Sequence, residues 1–154
     1  MDRRLILALA LLAGCPRGGP APTRPVTVTV ALAGAAPGEV HGVDVTLALP
    51  AGATVAHQPA TGRLAPSALR LLGGAAGGVV DGTFVPHRKA PSVRLLVASP
   101  ARLADGDLVA VAVDVPGDAV PEPGAFAIAG ALASGPGGRV VPTGAAWISA
   151  VAAR

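Results

Sequence analysis

The sequence predicts an all-β protein whose main part is a single antiparallel β-sandwich of about seven to nine strands. Three observations predict this fold. Apolar and polar residues alternate in several short stretches, turns rich in Gly and Pro recur about every 8–12 residues, and no long stretch beyond residue 15 has helical periodicity. Strict alternation also argues against a parallel α/β sheet, whose buried strands are apolar on both faces.

The first two predicted strands, at 26–32 and 43–49, alternate most clearly. A GAAPG turn at 34–38 separates them, and Pro50 and Gly52 end the second strand. Hydrophobic residues make up 51% of the chain but aromatic residues only 2%, so Val, Leu and Ala have to form the core. The residues expected to share buried faces are Val26, Val28, Val30 and Leu32 in the first strand and Val43, Val45, Leu47 and Leu49 in the second.

The middle of the chain is less regular. Residues 63–72 fit either a short helix that begins near Pro66 or two short strands that Pro66 breaks, and the irregular or strand interpretation is favoured. A glycine-rich loop follows at 73–78. Residues 79–85 then predict a strand that Gly82 interrupts.

The remaining elements are strands between Gly- or Pro-rich turns. Strands are expected at 92–99, 108–115, 125–133, 140–141 and 145–150, with turns at 103–107, 116–124 and 134–138. The best of these strands is 108–115. Its buried face is expected to carry Val109, Val111, Val113 and Val115.

The N-terminus has the layout of an export signal. Arg3 and Arg4 precede an apolar run at 5–12, which is far shorter than the roughly 20 residues that a membrane span needs. The run ends in Leu12, Ala13, Gly14 and Cys15. These four residues resemble the lipobox of bacterial lipoproteins, which reads Leu-(Ala/Ser)-(Gly/Ala)-Cys.

The lipobox resemblance implies that residues 1–14 are a signal peptide with a helical apolar run. It also implies lipidation of Cys15, which would carry a diacylglycerol thioether and an N-acyl chain and so anchor the protein to a membrane. The alternative is an ordinary signal peptide with an incidental cysteine. Since Cys15 is the only cysteine, a lipidated chain has none for a disulfide.

Residues 15–25 are expected to form a tether, because this stretch holds four prolines and two glycines without apolar periodicity. The β-sandwich domain is then expected at 26–154. Pro16 stands where lipoproteins retained at the inner membrane of many Gram-negative bacteria have Asp. The resemblance therefore implies the cell envelope as location, at the outer membrane of a Gram-negative bacterium.

The domain also has a family resemblance, carried by GVDVTLALPAG at 42–52, SVRLLVAS at 92–99 and LADGDLVAVAVDV at 103–115. In pattern and order these stretches are similar to cohesins. The resemblance implies a nine-stranded jelly-roll of the kind that cohesins and carbohydrate-binding modules use to bind protein or polysaccharide. No position matches a dockerin-contact motif, so no binding residue is carried over.

Composition and motifs point away from nucleic-acid binding and catalysis. Without Arg3, Arg4 and Asp2 the chain keeps 10 basic and 8 acidic residues, and its arginines are scattered. The histidines (His41, His57 and His87) lack metal-ligand spacing, and no serine lies in a G-x-S-x-G motif. The prediction is therefore a non-enzyme with no nucleic-acid partner and no cofactor apart from the lipid on Cys15. An envelope hydrolase would require clustered acidic or histidine side chains.

Two ligand hypotheses remain as alternatives. Weak calcium candidates around one predicted turn and the following loop are Asp105, Asp107, Asp114 and Asp118, although Asp is also a common turn residue. Phe84, Phe126 and Trp147 are expected to pack in the core, although exposed rings would favour sugar binding. The leading functional prediction is a lipid-anchored envelope protein that presents a non-catalytic β-sandwich for protein–protein interaction or a structural role. A polysaccharide-binding module is the alternative, and exposure of Trp147 distinguishes the two.

Overall fold

A computed structural model describes residues 22–33, 39–87, 89–141 and 146–154. Within these ranges the chain forms nine strands and four 3₁₀ helices of three residues each. The strands are β1 Thr23–Leu32, β2 Gly42–Ala48, β3 Leu69–Leu71, β4 Val79–Val85, β5 Ser92–Ala98, β6 Gly106–Pro116, β7 Ala127–Ser134, β8 Val140–Val141 and β9 Ala146–Ala153. The 3₁₀ helices are Pro66–Ala68, Gly73–Ala75, Pro123–Ala125 and Pro136–Gly138. None of the helices in these ranges is long and apolar enough to cross a membrane.

The strands form two antiparallel sheets, one of four strands in the order β3-β6-β1-β9 and one of five in the order β4-β5-β2-β7-β8. The predicted all-β class and the predicted antiparallel β-sandwich are therefore confirmed. The nine strands lie at the upper end of the expected number.

The core lies between the two sheets and consists mainly of Val and Leu side chains. The alternating faces predicted for β1, β2 and β6 are all buried, as is one face of β5. These inward-facing residues are Val26, Val28, Val30, Leu32, Val43, Val45, Leu47, Val93, Leu95, Val97, Val109, Val111, Val113 and Val115. Phe84 and Phe126 complete the core at 4% exposure each.

The first strand begins at Thr23, three residues before the predicted start of the domain. Thr23, Arg24 and Pro25 pair with the last residues of β6, so they belong to the sheet and not to the tether. A proline is tolerated at position 25 of β1 because its carbonyl still accepts a hydrogen bond from the Arg154 N–H, at 3.2 Å. The bond that Pro25 cannot make is the one from its own nitrogen, since Pro has no N–H.

The expected break in β4 at Gly82 is absent, because β4 pairs with β5 along its whole length. Gly82 faces inward, where a Cβ atom would lie 2.7 Å from Cδ1 of Leu64. The segment 62–64 runs along the free edge of β4. Leu64 donates its N–H to the Gly82 carbonyl at 2.9 Å, and Phe84 donates to the Gly62 carbonyl at 2.8 Å. This segment covers part of an edge that another strand would otherwise pair with.

Both sheets share the same two ends. At one, which we call the Thr23 end, β1 begins and β6 ends, and Thr54 just after β2 exchanges two backbone hydrogen bonds with Asp114. At the other, the Leu32 end, β1 ends and β6 begins. Gly42 and Ala98 are paired there at the start of β2 and the end of β5.

Candidate functional site

The outer surfaces of the two sheets differ in composition. Among the described residues, every large apolar side chain that is at least half exposed lies on the outer surface of the five-stranded sheet. These side chains are Val79 (69%), Val140 (64%), Leu96 (53%), Leu132 (52%) and Val85 (50%). We call this surface the apolar face.

Strand register gathers four of the five side chains toward the Leu32 end. Leu96 on β5 and Leu132 on β7 both lie opposite Asp44 on the middle strand β2. Val79 and Val140 lie on the two outer strands in the neighbouring row. Gly42 lies in that row on the middle strand. A Cβ atom at this position would lie only 2.6 Å from Oγ of Ser134.

The charged side chains on the apolar face are paired with each other. Arg94 Nε donates to both carboxylate oxygens of Asp44, at 2.9 and 3.1 Å, and Arg94 Nη2 also donates to Asp44 Oδ2. Asp81 Oδ1 accepts from Arg63 Nε at 3.0 Å and from the Gly82 N–H at 2.8 Å. These bonds to the charged form lower the pKa of Asp44 and of Asp81 below their usual values.

The Asp44→Asn substitution should make the free energy of unfolding depend less on pH in the acidic range. The hydrogen bonds from Arg94 are the main cause of the lowered folded-state pKa of Asp44. The ion pair therefore stabilises the fold fully above the unfolded-state pKa of about 4. This stabilisation is lost as the pH falls through the folded-state pKa. We expect wild type to have the higher urea midpoint at about pH 7 and the difference to be smaller at about pH 3, below the unfolded pKa. Asp105→Asn is the control, because Asp105 takes part in neither ion pair of the described residues. An equal difference at both pH values would contradict this prediction.

The outer surface of the four-stranded sheet carries mostly small side chains and a shallow cleft of about 430 Å³. The cleft is lined by Thr27, Ser67, Ala68, Leu69, Arg70, Ala110, Ala112 and Arg154. Trp147 is on the same surface, where it pairs with Ala31, and is 37% exposed. The expectation of core packing is confirmed for Phe84 and Phe126. It is wrong for Trp147, which is exposed because it lies on the outer side of an edge strand, and this exposure is what the polysaccharide alternative requires.

The calcium candidates do not form one group. Asp107 is the second residue of β6 and Asp114 lies seven residues further along the same strand, which separates them by about 23 Å. Asp105 lies beside Asp107, and Asp118 lies beyond the other end of β6. Asp107 Oδ1 instead accepts a hydrogen bond from Ser149 Oγ at 2.7 Å. Nowhere in the described ranges do three or more His, Cys, Asp or Glu side chains form a group that could hold a metal ion.

Two histidines make local backbone contacts. Nδ1 of His57 lies 2.6 Å from the carbonyl oxygen of Val55, and its ring packs against Phe84 at a centroid distance of 4.9 Å. Nδ1 of His87 accepts backbone N–H groups from Lys89 and Ala90. These contacts support the turns around them.

The predicted lipobox (Leu12, Ala13, Gly14 and Cys15), with Cys15 as the predicted lipidation site, lies outside the described residues. The feature that sequence reasoning missed is the apolar face. The sequence signal for this face was Leu96, which is two residues from Arg94 in the same strand and so lies on the same face as that charged residue.

Comparisons of this chain with models of known protein families, with curated proteins and with solved structures gave no match. The resemblance to cohesins therefore stays a prediction, and the fold rests on the strand pairing described above.

Proposed function

We propose that the chain is a lipid-anchored protein of the bacterial cell envelope that presents a non-catalytic β-sandwich to another protein. The observation that carries the proposal is the run of Leu12, Ala13, Gly14 and Cys15 directly after a short apolar segment. Two or three acyl chains on Cys15 would hold the protein firmly, because each buried CH₂ contributes about 0.8 kcal/mol. Pro16 in place of Asp supports the outer membrane as the location.

The distance from anchor to domain is short. Seven residues lie between Cys15 and Thr23, where β1 begins, and the eight Cα–Cα steps from Cys15 to Thr23 span at most about 29 Å. The Thr23 end of the sandwich would therefore lie near the bilayer. The apolar face, which is concentrated toward the Leu32 end, would lie further out, where another envelope protein has access to it.

The composition of the two outer surfaces favours a protein partner over a polysaccharide. The exposure of Trp147 supports the polysaccharide alternative, but sugar platforms rely on several exposed aromatic rings, and both Phe84 and Phe126 are buried. A cluster of exposed apolar side chains on one surface instead marks an interaction site. The apolar face carries such a cluster, with Asp44, which is paired with Arg94, lying between Leu96 and Leu132.

Labelling with radioactive or clickable palmitate tests the anchor. We expect wild type expressed in a Gram-negative host to incorporate the label and to fractionate with membranes. Cys15→Ser should lose the label because it removes the only thiol in the chain. The matched control is Ser149→Ala, which leaves the signal intact. Equal labelling of wild type and Cys15→Ser would refute the proposed function.

A further inference from the structure

We propose that the free edge of β9 is a docking site for an extended segment of the partner protein, which adds to the four-stranded sheet as a further strand. Only one point is taken from the proposed function, namely that the partner is a protein, and the lipid on Cys15 plays no part in the docking. A free sheet edge recognises such a segment through its backbone N–H and C=O groups.

Among the four sheet edges in the described part of the chain, the edge formed by β9 is the longest and the least protected. β3 and β8 form two other edges and have only three and two residues. The edge of β4 is partly covered by the segment 62–64. β9 has eight residues, pairs only with β1 and contains neither a charged residue nor a proline. It therefore lacks the short length, the charge and the proline that usually protect an edge strand.

The strand β7 has a second, weaker stretch of free edge. β8 pairs with β7 only at Ala133 and Ser134, so residues 127–132 are unpaired on that side. This stretch contains Gly130, and glycine inside a strand weakens its pairing. β9 is therefore the better template for an added strand.

The pairing of β9 with β1 shows which backbone groups point to the free edge. Arg154 donates its N–H to the Pro25 carbonyl, so these two residues form a hydrogen-bonded pair. In an antiparallel ladder, such pairs alternate with pairs whose N–H and C=O groups point away from each other. Val151 and Ala153 belong to the second kind, because they lie three residues and one residue before Arg154. Their N–H and C=O groups point away from β1, and none of the described residues bonds to them.

The free edge is open to solvent. Ala150, Ala152 and Ala153 are exposed. β7 of the other sheet and the 3₁₀ helix Pro123–Ala125 lie alongside β9, but neither forms a backbone hydrogen bond with it. A register shift near Thr29 places one extra residue in β9, and the four residues that follow it pair regularly with β1. This regular stretch, 150–153, is available to a further strand.

The side chains beside the edge indicate the composition of the added strand. On the inner side, Ile148 and Val151 are only partly buried where they pack against the core, as is Ile128 of β7. Every second side chain of an added strand would cover this region, so these side chains should be apolar. On the outer side, Ala150 and Ala152 offer no charge to pair with. The edge therefore fits a segment in which apolar residues alternate with uncharged polar residues.

Hydrogen exchange with a model peptide tests the docking site. The probe is a capped, uncharged peptide of about six residues that alternates Val and Thr. It is titrated into the purified full-length protein, and NMR follows the exchange of individual amides. We expect the Val151 and Ala153 amides to exchange rapidly in the free protein and at least about tenfold more slowly when the probe is bound. The control peptide has methylated backbone nitrogens, so it cannot donate hydrogen bonds to β9 and should not protect these amides.

Ala153→Pro tests the edge in the protein itself. Proline at this position removes an N–H that points away from β1, so the urea midpoint should stay the same. We expect the probe to bind about tenfold more weakly, because one of its carbonyl groups loses its donor. Ala153→Ser is the matched control, since it keeps the N–H and should bind the probe like wild type.

Several results would overturn the proposed docking site. These are equal binding of the probe to Ala153→Pro and Ala153→Ser, slow exchange of the Val151 amide in the free protein, and protection of β7 amides in place of those of β9. A lower urea midpoint for Ala153→Pro alone would contradict the outward direction of its N–H. All these measurements are independent of palmitate labelling at Cys15, so a failure of the docking site is distinguishable from a failure of the proposed anchor.

Discussion

Leu95→Ala is expected to lower the free energy of unfolding by about 2–5 kcal/mol, whereas Leu96→Ala should change it by less than about 0.5 kcal/mol. The two leucines are neighbours on β5 but point to opposite sides of the sheet. Leu95 is fully buried between the sheets and Leu96 is 53% exposed on the apolar face. Truncation of Leu95 therefore removes buried contacts and leaves a cavity.

Urea unfolding of the purified protein, followed by circular dichroism, measures both variants against wild type. Because the chemical change is the same at both positions, the pair isolates the effect of burial. Similar losses at positions 95 and 96 would mean that β5 presents both faces to the core, which would contradict the sandwich.

Gly62→Ala is expected to be more destabilising than Gly77→Ala, although both glycines have a left-handed backbone conformation, with φ of +71° and +75°. A side chain in this conformation costs about 1–2 kcal/mol at either position. At Gly77 a Cβ atom would meet no other atom within 4 Å, whereas at Gly62 it would lie 2.8 Å from the carbonyl oxygen of Phe84. That contact with backbone should add about 1–3 kcal/mol at position 62.

Chemical denaturation of both variants gives the comparison directly. Gly62 also accepts the hydrogen bond from the Phe84 N–H, so displacement of the segment weakens the cover on the edge of β4. We therefore expect Gly62→Ala alone to aggregate on mild heating as well. Equal stability losses for the two variants would show that the close approach to Phe84 does not constrain the segment.

Periodicity was sufficient to predict most of the strands. In β1, β2 and β6 every second residue is Val or Leu, and these residues are buried because period-two alternation matches the geometry of a strand. Pro66 begins a 3₁₀ helix of three residues that is followed directly by the short β3, so residues 63–72 contain both a short helical turn and a strand, which agrees with the irregular or strand interpretation. The boundaries differed by one to three residues where polar residues extended a strand, as at Thr23 and Arg24.

Long-range features could not be predicted from local pattern. Gly82 indicates a break when it is read alone, but in the fold it makes room for Leu64, which lies 18 residues earlier in the chain. The order of strands within each sheet and the cover on the edge of β4 also depend on such distant contacts. The ion pair of Arg94 with Asp44 could not be predicted either, since these residues lie 50 residues apart and meet only through the register of β2 with β5.

The central place of β1 has a consequence for the order in which the domain can be completed. Val28 pairs with Val111 on one side and with Val151 on the other, which are 83 and 123 residues further along the chain. A chain that emerges N-terminus first, from a ribosome or a translocation channel, therefore has its first strand without either neighbour until most of the domain has followed. Contacts this distant in sequence slow folding. The four-stranded sheet is therefore completed only when β9 has arrived.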